Sequence, residues 1–418
     1  MNSAASTNYR WYIFAMCSST YIISGFWRVS NAVIAGDLAR DLAASPEVMG
    51  LIGGAFFYSF GVAQLPMGPF LDRFGPRLVI SILVCIGAVS AVLFALAESG
   101  TVAVLTRAGI GFGMAAVLMG SLKILTTWFS PHEFATLSGT LIAIGNLGGI
   151  CATSPLAWLS DMIGWRGACI SMAAVTLAVA AGMYLVVRNH PPLKEGTQAT
   201  APPSMAEIMA GLRNVFSSGT FWCLAPLGFA SYGALITAQG LWGVPFLVHT
   251  YGMSKGDASG VLLAIPVGVV CGAPLWGRWS DMLGRRKPLV LAGLFMMLLI
   301  YSTLVLHLPL PYWGLVLQCW LLGFSSAALY ILYTQVKESF SLSIAGTALT
   351  ALNFFVILGA AVFQQMTGFI MGFWRQSADG KLPLAAYQWA FGVAALLLAL
   401  SLALYILCRD TGSGRTDV

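Results

Sequence analysis

Apolar runs long enough to cross a bilayer follow one another along the whole chain, broken by short segments where glycine, proline and charge collect. Taking about 20 residues as the length that spans ~30 Å of hydrocarbon, twelve spans are predicted near residues 11–35, 47–71, 78–97, 102–128, 134–159, 167–187, 220–248, 258–279, 288–306, 312–336, 343–371 and 385–407. Polar residues inside them are not scattered. In span 1, Ser18, Tyr21, Ser24, Arg28 and Asn31 fall within an arc of about 140° on a helical wheel, while Ile22, Ile23, Phe26 and Val33 lie outside it. An Arg near a helix centre costs roughly 2.5–3.5 kcal/mol even on lenient insertion scales, so Arg28 either reaches for the surface or faces something other than lipid. A snorkelling arginine needs no polar company, and the stripe favours a wet cavity.

Composition agrees with a bilayer. Of 418 residues 58% are hydrophobic and 9% charged, with mean hydropathy +0.83, too little polar surface for a water-soluble globule. The Lys and Arg outside the spans divide thirteen to five between alternate loops. Positive charge stays on the cytoplasmic side, so both termini are expected in the cytoplasm. The net charge of +6 then reflects topology and implies no nucleic-acid partner. The first span is too long for a cleavable signal peptide and lacks a small-residue cleavage site, so it reads as a retained helix. The cysteines lie almost entirely in spans without C-x-x-C spacing, giving neither a disulfide framework nor a metal site.

The chain is internally repeated. GPFLDRFGPR after span 2 and GRWSDMLGRRK after span 8 share G-x-x-x-D-x-x-G followed by basic residues at an offset of 209, and Gly139, Thr140 and Asn146 recur as Gly346, Thr347 and Asn353 at 207. Two six-helix halves follow, residues 1–187 and 220–418, joined by a Pro- and Thr-rich cytoplasmic linker at 188–219 that ends in a short surface helix. In the repeated loop Gly68 and Gly75 are expected to allow close backbone approach. Asp72 suits a helix N-terminus, where the dipole favours negative charge, and Arg73 and Arg77 suit carboxylates or last-turn carbonyls. Gly277, Asp281, Gly284 and Arg285 repeat the set. Such contacts form in one conformational state and break in another.

With its twelve spans, the doubled loop signature, and LTRAGIGFG (Leu105 to Gly113) in span 4, the chain resembles the major facilitator superfamily over essentially its whole length. The resemblance implies an all-α polytopic membrane protein of two pseudo-symmetric six-helix bundles. These bundles rock about a central site near the bilayer midplane to expose it alternately to each side.

Further polar rows accompany span 1: Tyr58 and Gln64, Asn146 and Thr153, Tyr232 and Gln239, Ser326, Tyr330 and Thr334, and Asn353 and Gln364. Each is a candidate for lining a cavity or for bonding helices together. Span 4 adds two cations. Lys123 continues a row of small residues, Gly109, Gly113, Ala116 and Gly120, a face for close packing or for a ligand, and Lys123 itself either faces the cavity or reaches for water. Arg107, about 160° away, is expected to brace the bundle. None of the fifteen acidic residues lies deep in a span, so the cavity is cationic and attracts an anion. A coupling proton would have to use a group near a span end, such as Glu133 or Asp37.

Arg10 and Trp11 opening span 1, Arg28 eighteen residues after Arg10, and Lys123 ahead of WFS (Trp128 to Ser130) resemble the organophosphate antiporters and anion:cation symporters, whose span-1 Arg and span-4 cation serve the anionic substrate. Proton-coupled members carry a carboxylate beside the span-1 Arg, where this chain has Trp27. The phosphate antiporters have a second Arg in span 7, where it reads LITAQGLWG. The expected function is a monomeric secondary transporter of a small organic anion, a carboxylate, in a bacterial inner membrane and with no cofactor. Arg28, Lys123, Tyr21, Ser24, Asn31, Tyr58, Gln64, Asn146, Gln239, Tyr330, Asn353 and Gln364 are expected to meet the substrate. Efflux of drugs or metabolites and carriage of an anionic metal chelate or siderophore are the alternatives. A membrane enzyme is disfavoured, since all four histidines lie in loops or span ends and neither H-E-x-x-H nor G-x-S-x-G occurs.

Overall fold

Gly164 (φ 75°, ψ 160°) divides what would be one 33-residue helix, Ser154–Val186, into the end of one membrane span and the whole of the next. The computed structural model describes residues 3–189, 205–377 and 379–411. Ten helical segments among the described residues have the length and apolarity to cross a membrane. One of them holds two spans because of Gly164, and the polar stripe of the first span keeps it out of the ten, so twelve spans result. Their helices are Ser3–Val29 with Asn31–Asp41, Pro46–Gln64 with Met67–Phe74, Pro76–Ala95, and Gly100–Met114 with Val117–Trp128. Span 5 runs from Pro131–Gly145 through Leu147–Cys151 to Gly164, and span 6 fills 165–186. After the helix Met205–Phe216, span 7 comprises Gly219–Thr237, a π-helical turn Ala238–Trp242 and Gly243–Tyr251. Spans 8 to 12 are Lys255–Leu262 with Ala264–Leu283, Lys287–Leu306, Tyr312–Ser326 with Leu329–Ser339, Leu342–Met371, and Leu384–Ile406.

Residue contacts divide the chain into two compact units, one of Met1–Ile34 with Ala55–Pro202 and one of Ala35–Gly54 with Pro203–Val418. This differs from the sequence division in one segment. Ala35–Gly54, which comprises the end of span 1, the loop and the start of span 2, groups with the second unit, where Asp37 pairs with Lys255 at 2.7 Å.

Small residues set the helix separations in the first unit. A Cβ on Gly25 would lie 2.5 Å from the Gly145 carbonyl oxygen, so spans 1 and 5 touch backbone to backbone. The row Gly109, Gly113 and Gly120 meets Ser90, Gly87 and Ile80 of span 3. That row is therefore a packing face, which decides between the two readings of it. The loop glycines behave differently from expectation. Gly68 and Gly277 have open space around them, and it is the second glycine of each motif that is needed: Gly75 at φ 77° and Gly284 at φ 63° turn the chain into the next helix.

The duplication extends to contacts between distant segments. At the start of span 3, the Arg77 N–H donates to Asn189 Oδ1 at 3.0 Å, and the Trp128 indole donates to the Arg188 carbonyl at 2.8 Å. At the start of span 9, the N–H groups of Arg286 and Lys287 donate to Asp410 Oδ1 at 3.1 and 2.8 Å, and Gln335 donates to the Arg409 carbonyl at 3.2 Å. In each half the segment that follows the sixth helix turns back to satisfy amides that the third helix leaves without a partner.

Candidate functional site

In the first unit the polar stripe of span 1 is largely buried. Ser24 is 0% and Asn31 1% exposed, and neither the Ser24 hydroxyl nor either amide atom of Asn31 has a hydrogen-bond partner. Buried polar atoms almost always find partners, and these two residues, seven positions apart on one helix face, depart from that rule. Arg28 lies between them in sequence, half-buried, with its guanidinium 5.5 Å from the centre of the Phe60 ring. Tyr21, half-buried, lies against Gly145, and Tyr58 and Gln64 line span 2. Asn146 donates to the Ile142 carbonyl at 3.1 Å, bonding within its own span.

Arg107 and Lys123 meet neighbours within the first unit. Arg107 is fully buried; Nη2 donates to the Trp27 carbonyl at 2.6 Å, and the guanidinium stands 5.1 Å from the Phe56 ring centre. Lys123 pairs with Asp72. The carboxylate of Asp72 thus meets a side-chain ammonium, and the expected helix N-terminus is not what it serves. Asp72 itself lies in the last turn of Met67–Phe74. Arg77 donates to the Tyr184 carbonyl at 2.7 Å and covers its ring, while Arg73 stands exposed over Phe74. Glu133 closes a capping box in the turn ahead of the membrane-spanning stretch that begins at Thr136. It accepts from the Ser130 N–H at 3.0 Å and the Ser130 hydroxyl at 2.9 Å, and it pairs with Arg10 at 3.1 Å. The Ser130 N–H first, then its hydroxyl, hold the Glu133 carboxyl below its usual range.

In the second unit, Gln239 belongs to the π-helical turn of span 7 and is 7% exposed. The turn is tied to span 11 by the Trp242 indole, which donates to Thr367 Oγ1 at 3.0 Å. Gln364 donates to the Ile236 carbonyl at 3.3 Å and leaves Oε1 buried without a partner. Asn353 accepts from the Tyr333 hydroxyl at 3.0 Å, and Tyr330 is exposed. Asp281 pairs with Arg286 at 2.7 Å, Arg286 with Glu338 at 2.9 Å, and Arg285 with Asp410 at 3.0 Å. Arg286, Glu338, Asp410 and Asn189 were not among the residues expected from sequence. The dipeptides Arg188-Asn189 and Arg409-Asp410 carry the signal, at an offset of 221 that exceeds the 209 of the loop motif because Gly277 to Arg409 is twelve residues longer than Gly68 to Arg188.

The profile of the Major Facilitator Superfamily matches residues 16–363 and 240–417. The chain belongs to this superfamily. It is 28% identical over 223 residues to the probable L-galactonate transporter of Escherichia coli (strain K12), a match covering 53% of the chain and 47% of that protein. It is 25% identical over 347 residues to the probable galactarate/D-glucarate transporter of the same organism, covering 72% and 74%. A putative tartrate transporter of Agrobacterium vitis is 24% identical over 290 residues, covering 64% and 63%. The match to the L-galactonate relative thus spans about half of that protein's length. Among solved structures, a bacterial homolog of the human lysosomal transporter Spinster, inward-facing and unoccupied, superposes with TM-score 0.78 at 20% identity over 96% of both chains. A D-xylose-proton symporter does so with TM-score 0.76 at 16% identity, covering 98% of this chain and all of that one. These two carry the fold alone, the twelve-helix architecture of the superfamily.

Proposed function

We propose that this superfamily member is a secondary transporter of a small organic anion, a carboxylate, working by alternating access, with Arg28 as the anchor for the substrate's negative group. The observation that carries the reading is the face of span 1. Arg28 stands between two buried residues, Ser24 and Asn31, whose hydrogen-bonding groups are unfilled. A guanidinium binds a carboxylate through two parallel hydrogen bonds, and the neighbouring hydroxyl and amide suit the hydroxyls of a sugar acid. The relatives named for galactonate, galactarate, glucarate and tartrate support the same chemistry. The charge asymmetry of the loops supports both termini in the cytoplasm, the bacterial relatives support an inner membrane, and the carrier acts as a single chain.

The test is ligand-induced thermal stabilisation of the purified protein with a panel of hexonates, aldarates, tartrate, phosphate esters and cationic dyes. Carboxylates are expected to stabilise the wild type. Arg28→Ala abolishes the shift while leaving a folded protein, and Arg28→Lys keeps a weaker one because it retains charge without the fork. An Arg28→Ala protein that binds its carboxylate at wild-type affinity overturns the reading.

A further inference from the structure

We infer that the carboxylate crosses without a proton, so that each turnover moves one net negative charge and the membrane potential sets its direction. The inference rests on the reading of Arg28 as the anchor of an organic anion. Its grounds are the whereabouts of the carboxylates and imidazoles among the described residues.

The fifteen acidic residues all lie outside the middle of the spans, and those nearest the spans are engaged where they stand. Asp37 holds Lys255 and Arg40, Asp72 holds Lys123, and Glu133 closes its capping box and meets Arg10. Asp281 and Glu338 share Arg286, and Asp410 takes two backbone amides at the start of span 9. Glu47 lies in the first turn of its helix, Asp161 just before the Gly164 break, and Glu98 and Asp257 at helix starts. Among the described side chains, neither histidine offers an alternative at depth. The Nδ1 of His249, at the end of span 7, accepts from the Leu382 N–H at 3.3 Å and meets the Tyr387 hydroxyl at 2.7 Å, and His307 caps the end of span 9. Beside Arg28 itself stands Trp27, 1% exposed, its indole donating to Thr176 Oγ1 at 3.0 Å.

The charge balance then follows from Arg28. In the loaded carrier its guanidinium and the substrate carboxylate cancel, so the loaded crossing moves little charge. The empty carrier returns with Arg28 positive, because a guanidinium does not lose its proton in this range. The sum over a cycle is one negative charge carried toward the substrate's destination. With an interior-negative membrane this favours export, and at 100 mV the potential alone sustains a roughly 50-fold concentration ratio for a monoanion. Such a carrier suits release of an acid made or accumulated inside.

The experiment uses the full-length protein in liposomes loaded with radiolabelled L-galactonate, the potential being imposed with potassium gradients and valinomycin. The expected result is efflux accelerated by an interior-negative potential and slowed by an interior-positive one. The steady-state ratio should shift roughly 50-fold per 100 mV, and a pH gradient at zero potential should change it less than about twofold. Liposomes carrying Arg28→Ala should leak no faster than empty ones. Accumulation that follows the pH gradient while ignoring potential overturns the inference and leaves the reading of Arg28 intact, as does flux seen only when an anion is present on the opposite side. No flux of L-galactonate or of any carboxylate in the panel under any gradient overturns both.

Discussion

Nη2 of Arg107 donates to the carbonyl oxygen of Trp27 at 2.6 Å, across from span 4 to span 1. The Trp27 indole donates in turn to Thr176 of span 6 at 3.0 Å. One residue of span 1 is therefore gripped from two other helices, and the next residue along is Arg28. Span 1 breaks its helix within the following turn, at Ser30, whose hydroxyl lies 3.5 Å from Nη1 of Arg107. The grip fixes the direction in which Arg28 leaves the helix.

Arg107→Ala should accordingly destabilise the first unit by about 2–4 kcal/mol, through a buried cavity and a lost charge-assisted hydrogen bond. Thermal unfolding of the purified variant measures it. Carboxylate affinity should fall as well, because Arg107 holds the backbone at Trp27, next to Arg28. A variant that melts with the wild type would show that the contact contributes nothing.

Lys123 and Asp72 offer a contrast. Their side chains are 35% and 43% exposed, so a double-mutant cycle with Lys123→Gln and Asp72→Asn should return a coupling of about 0.2–1 kcal/mol. Lys123→Gln alone should leave carboxylate affinity within about twofold of wild type, since a surface pair of this size carries little energy. A tenfold or greater loss would assign Lys123 to the substrate.

Glu133 makes a pH-dependent contribution of known sign. Its folded pKa is depressed, so the stabilisation is present above the unfolded carboxylate value of about 4.3. It is lost as pH falls through the folded one. Glu133→Gln should melt below the wild type at neutral pH, and the gap should close on acidification through and below that range. Transport by Glu133→Gln should keep the wild-type pH profile. A profile abolished by the substitution would make Glu133 the proton carrier.

Asp410→Ala should cost about 0.5–2 kcal/mol, the usual worth of a helix-capping acceptor, with Asn189→Ala acting in the same direction on the other half. Asp410→Asn should recover most of the loss because its side-chain oxygen still accepts. Thermal melts of the three variants decide the matter.

The twelve spans were legible because a bilayer demands length and apolarity, which need no partner to be read. The doubled loop was legible because its glycine and aspartate recur at a fixed offset. Pairings were not. Asp72 and Lys123 stand 51 positions apart, and which cation a carboxylate meets depends on how helices pack. Glu133 was a candidate proton carrier in the sequence, yet Ser130 three positions earlier already wrote the S-x-x-E capping box that engages it. The π-helical turn at Ala238–Trp242 left no trace, because one extra residue in a turn does not change the length or overall apolarity by which a span is read. It is held by the indole of Trp242 on Thr367, a contact between residues 125 positions apart. Ser24 and Asn31 were readable as a polar stripe; that their hydrogen bonds are unfilled is visible only once span 1 is packed.

The paired caps at Asn189 and Asp410 bear on where the polypeptide can be severed. A first half ending at residue 187, where hydropathy alone would place the cut, loses both the carbonyl that receives the Trp128 indole and the side chain that receives the Arg77 amide. Co-expressed fragments should reassemble better when the first one keeps Arg188 and Asn189. The same reasoning makes any fusion partner attached at Leu407 intrude on span 9. A tag belongs beyond Thr411, whose carbonyl accepts from the Arg286 N–H at 3.3 Å.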